Sequence, residues 1–317
     1  MQAIVFDGNL KLQEVPRPSN SDEAIIKVSR VGICNTDIEI IQGYAGFNGI
    51  LGHEFVGVVE SAPNDDFVGE RVVGEINAGC GVCDLCAGGD SRHCPNRTVL
   101  GIVNRSGAMA EYISLPVSNL LSVPESVSDE EAVFTEPLAA ACEILEQIRV
   151  SPSHKVAVIG DGKLGLLIAQ VLDTTGCNLT HIGKHANKLE ITAQRGIPTL
   201  LVDEAKGRFD SDFDIVVEAS GAGSGFKLAQ EIVRPRGTIV MKSTIHGDVP
   251  FDAARIIVNE ITLIGSRCGR FENALALLEQ GKVDVKPLIS KTFPLSDGVE
   301  AINYAQQSGI MKVQLTT

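Results

Sequence analysis

Val156-Ala-Val-Ile-Gly160-Asp-Gly162-Lys-Leu-Gly165 is an apolar run that turns through G-x-G-x-x-G and continues into Leu166-Leu-Ile-Ala-Gln-Val-Leu172, which has helical spacing. Strand, glycine turn and helix in that order give the glycines a task. They let the backbone approach a pyrophosphate, which then rests on helix N–H groups and the positive end of the helix dipole. Gly160, Gly162, Leu164 and Gly165 are therefore candidate dinucleotide-binding residues. Reading outward, strands are predicted at 155–159, 179–183, 214–219, 237–241 and 261–265, with helices at 164–175, 187–195 and 225–233. Strands alternating with helices of this length imply right-handed βαβ crossovers and a doubly wound parallel sheet.

The second strand of that sheet ends at Gly183-Lys184-His185. There a dinucleotide-binding chain selective for NAD carries an Asp or Glu for the ribose hydroxyls. No acid follows the strand. Glycine leaves room, and Lys184, His185 and Lys188 offer positive charge, so NADP(H) is expected over NAD(H). On this reading Gly183→Asp should swing the preference toward NAD(H).

Upstream, residues 1–121 read as short β-branched runs separated by Gly, Pro, Asn and Asp, an all-β region with loops. Residues 129–150 have helical spacing interrupted by Pro137, which predicts two helical pieces meeting at that proline. After 265 the chain returns through a helix at 270–279, an edge-like segment at 286–294, a helix at 295–305 and a last strand at 312–315. At 317 residues the chain is too long for one compact core, so two domains are expected.

Cys80-Gly-Val-Cys83-Asp-Leu-Cys86 followed by Cys94 is a C-x2-C-x2-C-x7-C array. Four thiolates this close in a glycine-rich loop can surround one metal tetrahedrally, and soft sulfur selects zinc or iron. With no position left for water, the site is structural. His93 beside it is surplus to the ligand count and is expected to face solvent. A second set is dispersed: Gly32-Ile-Cys34-Asn-Thr36-Asp37, Gly52-His53-Glu54 and Glu136-Pro137-Leu138. Together Cys34, His53, Glu54 and Glu136 supply a thiolate, an imidazole and one or two carboxylates, an open zinc set with room for a substrate oxygen. Asp37 is placed to orient the imidazole.

C-x-T-D, G-H-E, a four-cysteine lobe, E-P-L and a glycine loop, in that order over the whole chain, resemble the zinc-dependent medium-chain dehydrogenases/reductases, the family of zinc alcohol and polyol dehydrogenases. The resemblance implies an α/β fold in which a Rossmann domain is inserted between the two parts of a GroES-like β-rich catalytic domain. The expected boundaries are 1–142, 143–266 and 267–317. It implies one catalytic and one structural zinc per chain, a small alcohol or carbonyl substrate, hydride exchange with NADP(H), and a homodimer or homotetramer built through the cofactor domains. It makes Cys34 and His53 catalytic zinc ligands, with Glu54 or Glu136 as the carboxylate, and Thr36 the hydroxyl that passes the substrate proton on. Glutamate at 136 favours the polyol, sugar or amino-alcohol branch. Glu39 stands where many relatives carry a relay histidine, and Lys312 is similar in place to a basic residue near the cofactor pyrophosphate. The apolar segment with Tyr44, Phe47, Ile50 and Leu51 would narrow the pocket or shape it for an apolar alcohol, which pulls against a polyol.

Composition narrows the alternatives. A net charge of −13 gives no basic field for phosphate backbones, so nucleic acid is not an expected partner. No apolar run approaches a membrane span and the N-terminus lacks a basic-then-apolar leader, so a cytoplasmic protein is expected. Two other functions fit parts of the chain: a catalytically silent NADP(H)-binding regulator or structural protein, and an NADP(H) quinone or enone reductase of the same superfamily. Neither has a physical need for the open ligand set.

Overall fold

The computed structural model describes residues 1–64, 67–245 and 249–317. It divides into two compact units. One comprises Met1–Glu136, Phe271–Gln280 and Val285–Thr317, and the other Pro137–Arg270 with Gly281–Asp284. The sequence-based boundary at 142/143 falls inside the helix Thr135–Gln147, whereas the units divide at Glu136/Pro137.

The first unit is organised by the strand Ala24–Ile33, rich in Ile and Val and buried along most of its length. It is flanked by Glu54–Ser61 on one side and Lys312–Thr316 on the other, both antiparallel to it. Arg71–Gly74 and Leu120–Ser122 extend the sheet past the first neighbour, Ile289–Pro294 extends it past the second, and Tyr112–Leu115 also pairs with the central strand. The tail of the chain thus completes a sheet that the head began. A smaller sheet joins Leu10–Glu14, Gln2–Phe6 and Gly49–Ile50.

The second unit holds six parallel strands in the order Thr199–Leu201, Asn178–Gly183, Lys155–Ile159, Phe213–Glu218, Val233–Met241, Thr262–Gly265. The order reverses between Lys155–Ile159 and Phe213–Glu218, the switch point at which such sheets bind nucleotides beyond their carboxyl ends. Phe226 and Ile232 of the helix Gly223–Ile232 pack with Ile159, Phe213, Val216 and Ile239 of the sheet in one buried cluster.

Pro137 does not divide two helices. The break lies at Val133–Phe134, between Asp129–Ala132 and Thr135–Gln147, and Pro137 sits in the first turn of the longer helix. Its missing N–H has no intrahelical partner to lose there. Strands Leu10–Glu14 and Thr199–Leu201 and the short helix Val202–Ala205 are elements that the sequence pattern did not reveal.

Candidate metal and nucleotide sites

Strand pairing assembles the open ligand set. Gly32 lies opposite Glu54, and Ile33 opposite Val313, so the end of one strand and the beginnings of two others meet. Cys34 follows the first as N-cap of the helix Asn35–Ile41, His53 and Glu54 open the second, and Lys312 opens the third. Two glycines permit the convergence. A Cβ on Gly32 would run into the Glu54 carboxylate, and Gly52, at φ +94°, lies where a Cβ would be 2.7 Å from Met109 Cγ. Ligand-type atoms of Cys34, His53 and Glu54 all lie within 4.8 Å of one another.

Asp37 binds these pieces together. Its Oδ2 accepts from Cys34 N at 2.8 Å and its Oδ1 from Gly52 N at 3.1 Å, while Oδ1 lies 3.4 Å from His53 Nδ1. One buried carboxylate therefore fixes both segments and leaves Nε2 as the imidazole nitrogen free to ligate. Burial alone would lower the pKa of His53, but the negative charges of Asp37 and Cys34 outweigh it and raise it well above the ordinary value. Lys312 is likewise held protonated against its burial by Glu54 and Cys34, and it pairs directly with Glu54 Oε2. Lys312 thus does not stand free for a pyrophosphate: it is 1% exposed and committed to Glu54.

The donor set fits a metal ion. Glu54 Oε1 is buried without a hydrogen bond, beside the Cys34 thiol and the His53 imidazole. Buried polar atoms rarely go unpartnered, and a divalent cation would satisfy this group. Glu136 falls outside the 4.8 Å set. Desolvation pushes its carboxyl up to about 7, with Glu54 and Glu75 acting in the same direction and His53 and Lys312 opposing. A cation held nearby would keep it ionised. The Thr36 hydroxyl lies 3.8 Å from Cys34 Sγ, and Glu39 accepts from Asn35 Nδ2 at 2.8 Å. Ile50 and Leu51 do not line a pocket: both are buried, Ile50 packed with Ala3 and Ala110, while Tyr44 is exposed.

Because Asp37 holds both ligand-bearing segments, Asp37→Asn should lower zinc affinity about 10–100-fold without unfolding the chain. Competition with a chromogenic chelator measures this; unchanged affinity would show that Asp37 does not position the ligands.

The four-cysteine array closes in the structure. The Sγ atoms of Cys80, Cys83, Cys86 and Cys94 lie within 4.8 Å of one another, with Cys83 and Cys94 3.7 Å apart. Cys80 N donates to Cys94 Sγ at 3.4 Å. N–H groups of Val82 and Cys83 bring the Cys80 thiol down to about 6, while burial pushes Cys86 up to about 11. A bound cation favours the thiolate at every position. His93 is half-exposed, 3.9 Å from Asp90.

In the second unit the glycines perform distinct tasks. Gly160, at φ +126°, passes so close to Ala219 that a Cβ would strike its carbonyl. Gly162 caps the helix Lys163–Asp173, which begins with Leu164 partly buried, and Gly165 packs directly on the Gly160 carbonyl. The buried His181 braces this loop, its Nε2 lying 2.8 Å from Gly160 O and its Nδ1 2.9 Å from Thr192 Oγ1. Burial lowers its pKa, so it is a neutral bridge.

Asp161 departs from the sequence reading, in which no acid served the end of the second strand. Its Oδ2 accepts from Lys184 N and His185 N, each at 2.6 Å, and lies 3.0 Å from His185 Nδ1. Burial raises its pKa, but the His185 and Lys184 contacts outweigh that and hold the carboxyl below its ordinary value. Gly183 is needed for this arrangement, since a Cβ there would lie 2.7 Å from Asp161 Cβ and 2.8 Å from Oδ2. Gly183→Asp would therefore displace Asp161 rather than simply add a selector. Lys184 and His185 are exposed and Lys188 partly so. An acid inside the glycine loop was the available signal for Asp161; nothing in the spacing marked His181.

These features coincide with known proteins. The model of the alcohol dehydrogenase GroES-like domain matches residues 20–125, and that of the zinc-binding dehydrogenase matches residues 164–280. The sorbitol dehydrogenase of Halalkalibacterium halodurans is 30% identical over 330 aligned positions, 98% of this chain and 96% of the relative. A zinc-binding dehydrogenase from Sinorhizobium meliloti 1021, bound to NADP, aligns with a TM-score of 0.91 at 25% identity over 100% of this chain and 99% of that one. An alcohol dehydrogenase from Escherichia coli CFT073, complexed with NADH, gives 0.90 at 27% identity with the same coverage. The chain belongs to the zinc-dependent medium-chain dehydrogenase/reductase family, with a GroES-like unit and a Rossmann-type unit. It is an oxidoreductase of the alcohol dehydrogenase type, acting on CH–OH donors. Among the described residues no helix is long and apolar enough to cross a membrane.

Proposed function

We propose that the chain is a zinc-dependent dehydrogenase of polyols or sugar alcohols, exchanging a hydride between a secondary carbinol and a nicotinamide dinucleotide. The observation that carries this is the convergence of half-buried Cys34 with buried His53 and Glu54, three donors of the number and type that leave a catalytic zinc one open position. Zinc bound there would supply Lewis acidity toward a substrate oxygen, and the nicotinamide would supply the hydride acceptor. The chain's own residues do the rest. Asp37 fixes the imidazole, Lys312 pairs with Glu54 and offsets its charge beside Cys34, and Thr36 offers a hydroxyl for the departing proton beside Cys34. A second carboxyl at half-buried Glu136, together with likeness to a sorbitol dehydrogenase, supports a substrate with more than one hydroxyl.

On nucleotide choice the second unit presents opposed charges: Lys184 and Lys188 favour a 2′-phosphate and Asp161 disfavours it. The substrate class is tested with a panel of polyols, sugar acids, simple alcohols and aldehydes, followed by reduced-nucleotide absorbance. Polyols or sugar acids should exceed monohydric alcohols at least about tenfold in kcat/KM, the scale of one lost hydrogen-bonding hydroxyl. A preference for simple aliphatic alcohols would overturn the substrate reading and leave the metal chemistry standing.

A further inference from the structure

We propose that Asp161 is the nucleotide-selecting residue: its carboxylate, delivered from the glycine loop, replaces the acid missing at Gly183 and makes the chain prefer NAD(H) to NADP(H). This rests on the dehydrogenase reading and deepens it.

Position comes first. A side chain at 183 would begin 2.7 Å from Asp161 Cβ and 2.8 Å from its Oδ2, so the Asp161 carboxylate fills the volume that a residue-183 side chain would occupy. In dinucleotide-binding sheets that volume belongs to the acid that binds the adenosine ribose. The same negative group is present here, reached from the neighbouring strand's loop instead of from the strand end.

Its fixation comes second. Asp161 is 8% exposed and held by two N–H donors and a ring nitrogen, so it cannot swing aside at low cost. Oδ2 accepts both N–H bonds, while Oδ1 has only a 3.2 Å contact with His185 Nδ1 and retains acceptor capacity for ribose hydroxyls.

Charge decides the preference. The N–H groups of Lys184 and His185 open the helix Ala186–Ala193 and are the donors a 2′-phosphate would use. The carboxylate already occupies them, and a phosphate at that place would meet a fixed like charge. The opposing cations are weaker counterweights. Lys184 is exposed on a flexible stem and screened by water, and the His185 ring nitrogen is already committed to Asp161 at 3.0 Å.

The test is fluorescence titration of the zinc-loaded full-length protein with NADH and with NADPH, without alcohol substrate. Wild type should bind NADH more tightly. Asp161→Asn, which keeps shape and an acceptor but removes the charge, and Asp161→Ser should each raise the NADPH:NADH affinity ratio at least about tenfold. A wild type that binds NADPH as tightly as NADH or more tightly overturns the proposal, and that result does not depend on either variant folding. Folded Asn and Ser variants with the wild-type ratio also overturn it. Binding of neither nucleotide would sink the dehydrogenase reading as well, whereas tight NADPH binding sinks this inference alone.

Discussion

Cys34→Ser and His53→Ala should each lower alcohol turnover at least about 10³-fold while NADH or NADPH still binds. The metal is expected to contribute several kcal/mol to stabilising the charge that develops on the substrate oxygen, and about 1.4 kcal/mol corresponds to a factor of ten in rate. Each variant removes one of the three proposed ligands, whose donor atoms lie within 4.8 Å of each other. The remaining two, with Lys312 already drawing on Glu54, cannot hold zinc in the orientation that leaves a position open. Nucleotide binding should survive because the glycine loop, Asp161 and His181 all belong to the other compact unit. Metal analysis should show about two zinc per chain in the wild type and about one in either variant. Undiminished turnover with one zinc lost would end the zinc mechanism. Two zinc retained with turnover lost would move Cys34 or His53 from ligation to another role.

What could be read from the sequence was local. The glycine loop and the four cysteines are recognisable because their chemistry lies within a few residues, and both appear in the structure as closed local geometry. Cys34, His53 and Glu54 could be proposed as a group but not placed, since their meeting depends on the register that sets Gly32 opposite Glu54. Lys312 shows the cost of not knowing register. Its place in the chain points to a pyrophosphate, yet the pairing of Ile33 with Val313 carries its amine to Glu54. Asp161 was missed for a related reason. Adjacent parallel strands bring the loop after Ile159 beside Gly183, and a short side chain crossing that gap leaves no periodic trace. The apolar character of Ile50 and Leu51 suggests pocket lining, but apolar residues next to a strand pair more often complete a core, as these do.

Disrupting the proposed four-cysteine zinc site should have a different signature. Cys94 is fully buried, accepts from Cys80 N and touches Cys83 through sulfur, so Cys94→Ser takes out the ligand on which the loop's own contacts converge. Around it the chain has little else to hold it: the helix Asp84–Ala87 has four residues, none buried, and Val82 and Leu85 are exposed. A loop that cannot bury an apolar face depends on its metal for shape, and a structural zinc contributes its binding free energy to folding. Loss of about 4 kcal/mol is expected, which in a unit of this size lowers Tm by roughly 8–16 °C. Limited proteolysis should open the segment between Cys80 and Cys94 in the variant and spare it in the wild type. Alcohol turnover, assayed well below the lowered Tm, should stay within about tenfold of wild type, because Cys34, His53 and Glu54 are held by strand pairing and by Asp37. Calorimetry, proteolysis and turnover on the same preparation separate the two metals. A variant with wild-type Tm and an intact loop would mean that the four cysteines do not carry a structural ion.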